Sequence, residues 1–245
     1  MKKILTLASI PALSLITTTT AFAQDAAEAE STGGGLTVLK KYFIEGGPIF
    51  MSLVLICLIL GLAVCIERII SLSLAQTNTK KLLSRVENAL QDQDVDKAKE
   101  ICKSTRGPVA SVLYQGLDRA KEGLAMVEKS VISYGSVQMG LLEKGLTWIS
   151  LFISLAPMLG FTGTVIGMIE AFNDIENAGD INISIVASGI KLALITTLFG
   201  LVVAIILQIF YNFIVSKVDG IVNKMEDSSI SLLDMIARYN VTKND

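Results

Sequence analysis

The sequence predicts an all-α integral membrane protein with three transmembrane helices, the second and third of which extend into a cytoplasmic helical bundle. Three stretches without a charged residue are long enough to cross a bilayer, at residues 48–66, 145–169 and 192–216. Composition agrees, because 51% of the 245 residues are hydrophobic, 18% are charged and the mean hydropathy is +0.59. Backbone polar groups must be paired within a membrane segment, so each stretch is expected to be a helix.

The first 23 residues have the features of a cleavable signal peptide. Lys2 and Lys3 precede an apolar stretch, and Ala21-Phe22-Ala23 fits an A-x-A cleavage site. Residues 24–47 would then form a periplasmic N-terminal segment. The alternative is an uncleaved anchor helix, although the apolar stretch is short for a span.

Export of the N-terminus and the distribution of charge predict the orientation. Residues 67–144 carry 12 Lys and Arg residues, whereas the loop at residues 170–191 has four carboxylates and no basic residue before Lys191. Because basic residues are retained in the cytoplasm, the first region is expected inside and the loop outside. Residues 217–245 then form a cytoplasmic tail.

The cytoplasmic region is expected to be helical. Asn78-Thr79 can cap a helix, and a second short helix is predicted from about Asp94 to Lys103, before Gly107-Pro108. The residues that line one face of the first helix are Leu82, Leu83, Val86 and Leu90.

Two further apolar seams, spaced by three and four residues, predict that spans two and three continue as long cytoplasmic helices that pack together. The seam that leads into the second span is Val127, Val131, Tyr134, Gln138 and Leu141. The seam that follows the third span is Val218, Val222, Met225, Ser229, Leu232 and Ile236. The alternative is amphipathic helices without a special register.

Stripes of small residues run along one face of the second and third spans. On the second span the stripe consists of Ala156, Gly160, Gly163, Thr164 and Gly167. On the third span it consists of Gly189, Ala193, Thr197, Gly200 and Ala204. Small residues let helix backbones approach closely in a bilayer, so we expect these glycines and alanines to pack the helices of an assembled channel.

The spans contain no carboxylate, Lys, Arg or His. Their hydroxyls can line a file of water but do not ionise near neutral pH, whereas a proton relay normally needs an ionisable group in the membrane. We therefore predict that a partner supplies a carboxylate and that Thr164 and Thr197 line the pore. The alternative is that these hydroxyls bond to the carbonyl one turn earlier and only allow close packing. Thr162 points to roughly the opposite side of its helix.

The charged residues at the ends of the spans are predicted to lie at the membrane interface. Lys191 is expected to reach the interface or to pair with a carboxylate of the outer loop, namely Glu170, Asp174 or Glu176. The alternative is a contact with a partner at the outer mouth. Glu67-Arg68 closes the first span and is interpreted as an interfacial anchor.

Several functions find no support in the sequence. No histidine, phosphate-binding loop or recognisable catalytic constellation is present, so we expect neither an enzyme nor a cofactor. The spacing of Cys57, Cys65 and Cys102 suits neither a metal site nor a disulfide framework, and they are interpreted as reduced fillers. No basic cluster suggests a nucleic-acid partner.

The sequence resembles the family of MotA, TolQ and ExbB, the helical subunits of ion-driven inner-membrane motors. The segment Ala156-Pro157-Met158-Leu159-Gly160, followed by Gly163-Thr164-Val165-Ile166-Gly167-Met168, is similar to the family's second-span signature. The third span is similar at Gly189-Ile190, Ala193-Leu194, Thr197, Gly200-Leu201 and Tyr211-Asn212. Glu67-Arg68 also fits, and the likeness extends over residues 46–239.

The resemblance, which is strongest to the ExbB branch, implies a partner set. It implies a homopentamer in the bacterial inner membrane around a single-span ExbD- or TolR-like protein that supplies a membrane aspartate. It further implies that the complex uses the proton gradient to energise a TonB-type protein, with Thr164 and Thr197 at the family's pore-lining positions.

The sequence departs from the family at Leu192, where several relatives carry Glu. The process that the complex powers also stays open, since a TolQ-like role in envelope maintenance or a motility stator would use the same chemistry. A non-conducting oligomeric scaffold is a third hypothesis. The choice between protons and sodium follows only from the resemblance.

Overall fold

The computed structural model describes residues 35–178 and 183–244. The predicted signal peptide, part of the segment at residues 24–47 and part of the outer loop lie outside these ranges. The described helices, in chain order, are α1 (Gly35–Glu45), α2 (Pro48–Ala75), α3 (Thr79–Gln91), α4 (Val95–Ser104), α5 (Pro108–Asp118), α6 (Leu124–Glu143), α7 (Leu146–Ala178) and α8 (Ile183–Asn244), with a 3₁₀ turn at Ala120–Glu122.

Three of the described helices, α2, α7 and α8, are long and apolar enough to cross a membrane. Each contains one of the three charge-free stretches, and no strand occurs in the described residues. The prediction of an all-α membrane protein with three spans is therefore confirmed. Large apolar side chains on these helices are exposed, such as Ile49 at 73% and Ile209 at 65%, which is expected for surfaces that face lipid or another subunit.

The small helices α3 and α4 begin where the capping residues predict. Oδ1 of Asn78 accepts a hydrogen bond from the backbone N–H of Lys81 at 3.2 Å, and Oδ1 of Asp94 accepts one from Lys97 at 2.8 Å. Each cap satisfies a backbone donor that has no partner within the helix. The predicted apolar face is also buried at Leu82, with α3 packed on α4 and α4 on α5.

The second span does not continue directly from the helix before it, as the seam had predicted. Helix α6 ends at Glu143 and α7 begins at Leu146, because Gly145 has a φ of +87° that reverses the local helical path. A side chain at Gly145 would also meet Nε of Arg68 at 3.0 Å. Leu141, the last residue of the predicted seam, is 56% exposed, whereas Leu142 is buried.

The third span does continue without a break, since α8 extends to Asn244. Four residues of its predicted seam are buried, namely Val218, Met225, Leu232 and Ile236. At the other two positions the buried residue lies one place earlier, at Ile221 and Ser228. The buried residues Val218, Met225 and Leu232 recur every seven residues, with Ile221 and Ser228 three places after the first two, which is the spacing of a heptad seam.

The three cysteines are free and buried, in agreement with their interpretation as filler residues. Burial raises the pKa of Cys102, on α4, from 9.0 to about 12. The thiol therefore stays protonated in the native protein at neutral pH, and a protonated thiol is a poor nucleophile.

We expect the raised pKa of Cys102 to make the unfolding free energy of the protein fall as the pH rises above about 9. The unfolded thiol ionises near its ordinary pKa while the folded thiol keeps its proton, so the stabilisation present below pH 9 is lost towards pH 12. Chemical denaturation at pH 8 and pH 10 measures this loss. A Cys102→Ala variant serves as the reference and should lose less stability over the same interval; an equal loss would contradict the assignment.

Contacts divide the chain into two compact units. One consists of the described chain up to Val54 together with Met158–Gly200, and the other of Leu55–Pro157 together with the chain from Leu201. The first unit contains α1 and both predicted pore-lining threonines. The second contains α3 to α6.

Candidate functional site

In the first unit the parts of α7 and α8 that flank the loop between them lie in very close contact. A Cβ atom placed on Gly160 would meet the carbonyl oxygen of Thr196 at 2.9 Å and Cα of Thr197 at 3.1 Å. Because these neighbours are backbone atoms, they cannot move aside as a flexible side chain could. Glycine at position 160 is therefore what allows the two backbones to touch.

The other glycines of the two stripes extend this contact. A Cβ on Gly163 would meet Oγ1 of Thr196 at 2.8 Å, and one on Gly189 would meet Cβ of Ala171 at 2.4 Å. The remaining small residues of the stripes are buried or half-buried, namely Ala156, Gly167, Ala193, Gly200 and Ala204. The interpretation of the stripes as packing surfaces in an assembled channel stays a prediction, since no second copy is present.

Thr164 and Thr197 face each other where α7 and α8 meet, and their hydroxyl groups are hydrogen-bonded. Oγ1 of Thr164 also lies 3.2 Å from the carbonyl oxygen of Gly160 and 3.3 Å from that of Ala193. Oγ1 of Thr197 lies 3.2 Å from the same Gly160 oxygen. Both side chains are half-buried, so neither is sealed inside the helix pair.

The hydroxyls of Thr164 and Thr197 can exchange donor and acceptor roles without any movement of their heavy atoms. Each hydroxyl has one proton to donate, and either threonine can be the donor to the other. When Thr164 donates to a carbonyl it is free to accept from Thr197, and the reverse arrangement is also available. Such a pair can orient a neighbouring water in two ways, but it cannot hold a charge near neutral pH.

The structure separates the four threonines of this region by environment. Thr162 is exposed, and its hydroxyl donates to the carbonyl oxygen of Met158 at 2.8 Å within its own helix. Thr196 is fully buried and donates to the carbonyl oxygen of Ala193 at 2.8 Å. Among the described threonines of α7 and α8, Thr164 and Thr197 are the two whose hydroxyls form hydrogen bonds between the helices.

Thr196, for which the sequence predicts no role, lies against Gly163. Its partner glycine, however, becomes apparent only when α7 and α8 are packed together.

Lys191 pairs with a different carboxylate from those predicted. Its Nζ lies 2.9 Å from Oε2 of Glu45, at the end of α1, and not beside a carboxylate of the outer loop. That oxygen is shielded from solvent and has no partner in hydrogen-bond geometry among the described residues, so its contact with Lys191 is one of charge. Glu170 and Asp174 line the same cavity of about 350 Å³ without forming the ion pair.

The predicted pairing of Lys191 with a loop carboxylate is wrong because it relied on closeness in sequence. The turn after α1 instead brings Glu45, which is distant in sequence, next to α8. The turn contains Gly46, at which a Cβ would meet Cγ2 of Ile195 at 2.9 Å. The sequence does contain one indication of this partner, because Glu45 directly precedes Gly46-Gly47-Pro48 at the start of the first span.

In the second unit, Glu67 and Arg68 form an ion pair with Nε 3.1 Å from Oε2. The Arg68 side chain is only 11% exposed and lies against Gly145, at the turn before α7, whereas Glu67 is 59% exposed. The interfacial role of Glu67 and Arg68 stays a prediction. The contact between Arg68 and Gly145 connects the end of the first charge-free stretch with the start of the second.

The sequence profile of the MotA/TolQ/ExbB proton channel family matches residues 104–227, half of the chain. The chain belongs to that family. This matched region includes the whole of the second and third spans, and thus both threonines, the glycines of α7 and Lys191.

Curated relatives carry the same family name. A putative biopolymer transport protein ExbB homolog of Methanothermobacter thermautotrophicus is 29% identical over 191 residues, which cover 78% of this chain and 67% of the relative. An ExbB-like protein of Synechocystis is 29% identical over 188 residues, or 73% of this chain and 71% of the relative. The biopolymer transport protein ExbB of Aquifex aeolicus is 43% identical over 77 residues, which cover 31% of this chain and 52% of the relative.

The chain thus spans about half of the Aquifex aeolicus relative and about two thirds of the first. Membership in a proton channel family agrees with the three helices that are long and apolar enough to cross a membrane, and both findings indicate a membrane-embedded protein. Recognition of the family from its second- and third-span residues is confirmed.

Proposed function

We propose that this chain is the pore-forming subunit of an inner-membrane proton channel that powers a TonB-type protein. Several copies, five by the family resemblance, surround a single-span ExbD- or TolR-like partner. The N-terminus lies in the periplasm after signal cleavage and the C-terminus in the cytoplasm. Protons would drive the motor, and each releases roughly 2.3 kcal/mol on crossing about 100 mV.

The observation that carries this proposal is the pair of half-buried hydroxyls of Thr164 and Thr197 between two spanning helices. A half-buried pair at the edge of the α7–α8 contact is accessible to a further helix or to water. Its two hydrogen-bonding patterns suit a passage in which waters must reorient as protons move. Fully buried Thr196, by contrast, has no such access.

The same spans give the reason for a partner. They contain no carboxylate, Lys, Arg or His, so the hydroxyls can guide a proton but cannot receive it as a stable charge. An aspartate on a central helix would supply that group beside the threonines. The partner assignment rests on this chemical gap and on the family.

The TonB-type output is supported by the relatives named for biopolymer transport. A non-conducting scaffold is the second candidate, because Thr164 also contacts the carbonyl of Gly160 one turn earlier, as a purely structural threonine would. The hydroxyl substitutions discussed below separate the two.

The partner requirement gives a direct test. Reconstituted in liposomes with a pH gradient, the chain alone should give background proton flux, and the chain with its single-span partner should give at least tenfold more. Replacing the partner's membrane Asp by Asn should return the flux to background, with the complex still intact by mass measurement. Full, selective flux from the chain alone would contradict the proposal.

A further inference from the structure

The outer end of α8 is held by two contacts that lie one helical turn apart. Lys191 forms the ion pair with Glu45 at 2.9 Å, and Ile195 lies against Gly46. Residues four apart lie on the same face of a helix, so both contacts act on one side of α8. Both partners belong to the turn that joins α1 to α2.

A different side of α8 contacts α7 through the hydroxyl pair of Thr164 and Thr197. Thr197 follows Lys191 by six residues, which corresponds to about 240° around the helix at roughly 100° per residue. A rotation of α8 that released Lys191 would therefore also turn Thr197 away from Thr164. The outer turn and the hydroxyl pair are mechanically linked through fewer than two turns of helix.

Gly46 and Gly47 make the close approach of the turn possible. A Cβ on Gly46 would also meet the carbonyl oxygen of Tyr42 at 3.0 Å and Sδ of Met51 at 3.1 Å. Gly47 has a φ of +78°, which favours glycine. With this backbone fixed, the carboxylate of Glu45 is presented to α8, and its Oε2 atom is shielded from solvent.

We propose that Glu45 and Lys191 are a positioning pair, which docks α1 on the outer end of α8 and so keeps Thr197 facing Thr164. The pair acts through the threonines and is not itself part of the proton path. The expected effect of the pair on proton flux rests on the proposed function. The docking of α1 on α8 does not depend on it.

The choice of substitution follows from the surroundings of Lys191. Glu170 and Asp174 line the same cavity, so Lys191 has other carboxylates nearby when Glu45 is only neutralised. The reversal Glu45→Lys is a stronger test, because it places two ammonium groups at the contact. The double reversal Glu45→Lys with Lys191→Glu restores the attraction, and Glu176→Lys is a matched control that changes the charge of the outer loop by the same amount.

Two readouts decide the proposal in the full-length chain with its partner. Electron-spin distances between labels at Tyr42→Cys on α1 and Leu194→Cys on α8, both exposed positions, report docking. Proton flux into liposomes reports the pore. Glu45→Lys should broaden the distance distribution and lower the flux about fivefold, whereas the double reversal and Glu176→Lys should stay within twofold of the parent in flux and keep its distances.

Each other outcome has a definite meaning. Unchanged distances in Glu45→Lys, or no recovery in the double reversal, would overturn the docking. Altered distances with unchanged flux would overturn the positioning role. Absence of flux in the parent complex would instead refute the proposed function, while the distances still decide the docking.

Discussion

Replacing Thr164 or Thr197 by valine is expected to lower proton flux through the assembled complex by about tenfold to a hundredfold. Valine keeps the shape of threonine but removes the hydroxyl. Loss of one partner leaves polar groups at the site unpaired, at a cost of about 1–3 kcal/mol, and about 1.4 kcal/mol corresponds to a factor of ten. The measurement is pH-gradient-driven flux in liposomes that contain the chain and its single-span partner.

Thr162→Val is the matched control for this experiment. It removes a hydroxyl from the same helix as Thr164, at an exposed position where that hydroxyl donates to the carbonyl oxygen of Met158 within α7. Its flux should stay within twofold of the parent. Thr197→Ser, which keeps a hydroxyl, should recover most of the flux lost in Thr197→Val.

Equal flux in the parent, Thr164→Val and Thr197→Val would favour the scaffold, in which these residues only pack the helices. Native mass measurement must accompany each variant, because a complex that fails to assemble also fails to conduct. A variant that assembles normally and does not conduct is the result that supports a pore-lining role.

Replacing Gly160 or Gly189 by alanine should destabilise the protein and abolish flux together. The new Cβ would lie 2.9 Å from the carbonyl oxygen of Thr196 in the first case and 2.4 Å from Cβ of Ala171 in the second. Overpacking of this kind costs about 1–3 kcal/mol. Because the neighbours are rigid, α7 and α8 must separate, and the two threonine hydroxyls would lose contact.

Gly140→Ala and Gly220→Ala are the controls, since a Cβ at either position meets nothing within 4 Å. At these helical sites alanine should stabilise slightly, by roughly 0.5–1 kcal/mol, through its helix propensity. The thermal midpoint of the detergent-purified complex should therefore fall for Gly160→Ala and Gly189→Ala and hold or rise for the controls. A Gly160→Ala variant as stable as Gly220→Ala would show that the two backbones are not in contact in the membrane.

The sequence predicts that the glycines of α7 pack against a helix, but it does not predict their contacts. The spacing of Gly160 and Gly163 was sufficient to predict a packing face, because residues three and four apart share one side of a helix. It did not show which atoms they would meet. Contact with the backbone of Thr196 depends on the axial register of α8 against α7, which no local pattern encodes.

The break at Gly145 has a different cause. Hydrophobic spacing predicted a continuous helix, because a seam reports which residues face a core and says nothing about a single residue with positive φ. Gly145 itself was the only local indication. Arg68, which packs there, comes from a distant part of the sequence.

The sequence by itself determined the three membrane-spanning helices, the family and the two threonines as candidates, because apolar length, small-residue spacing and motif are local properties of the chain. The tertiary structure alone decided that the two hydroxyls bond to each other, that Thr196 is buried against Gly163, and that Lys191 pairs with Glu45. These facts depend on the relative rotation and register of helices far apart in sequence. Such quantities are set by the summed packing of whole helix faces, and no single segment contains them.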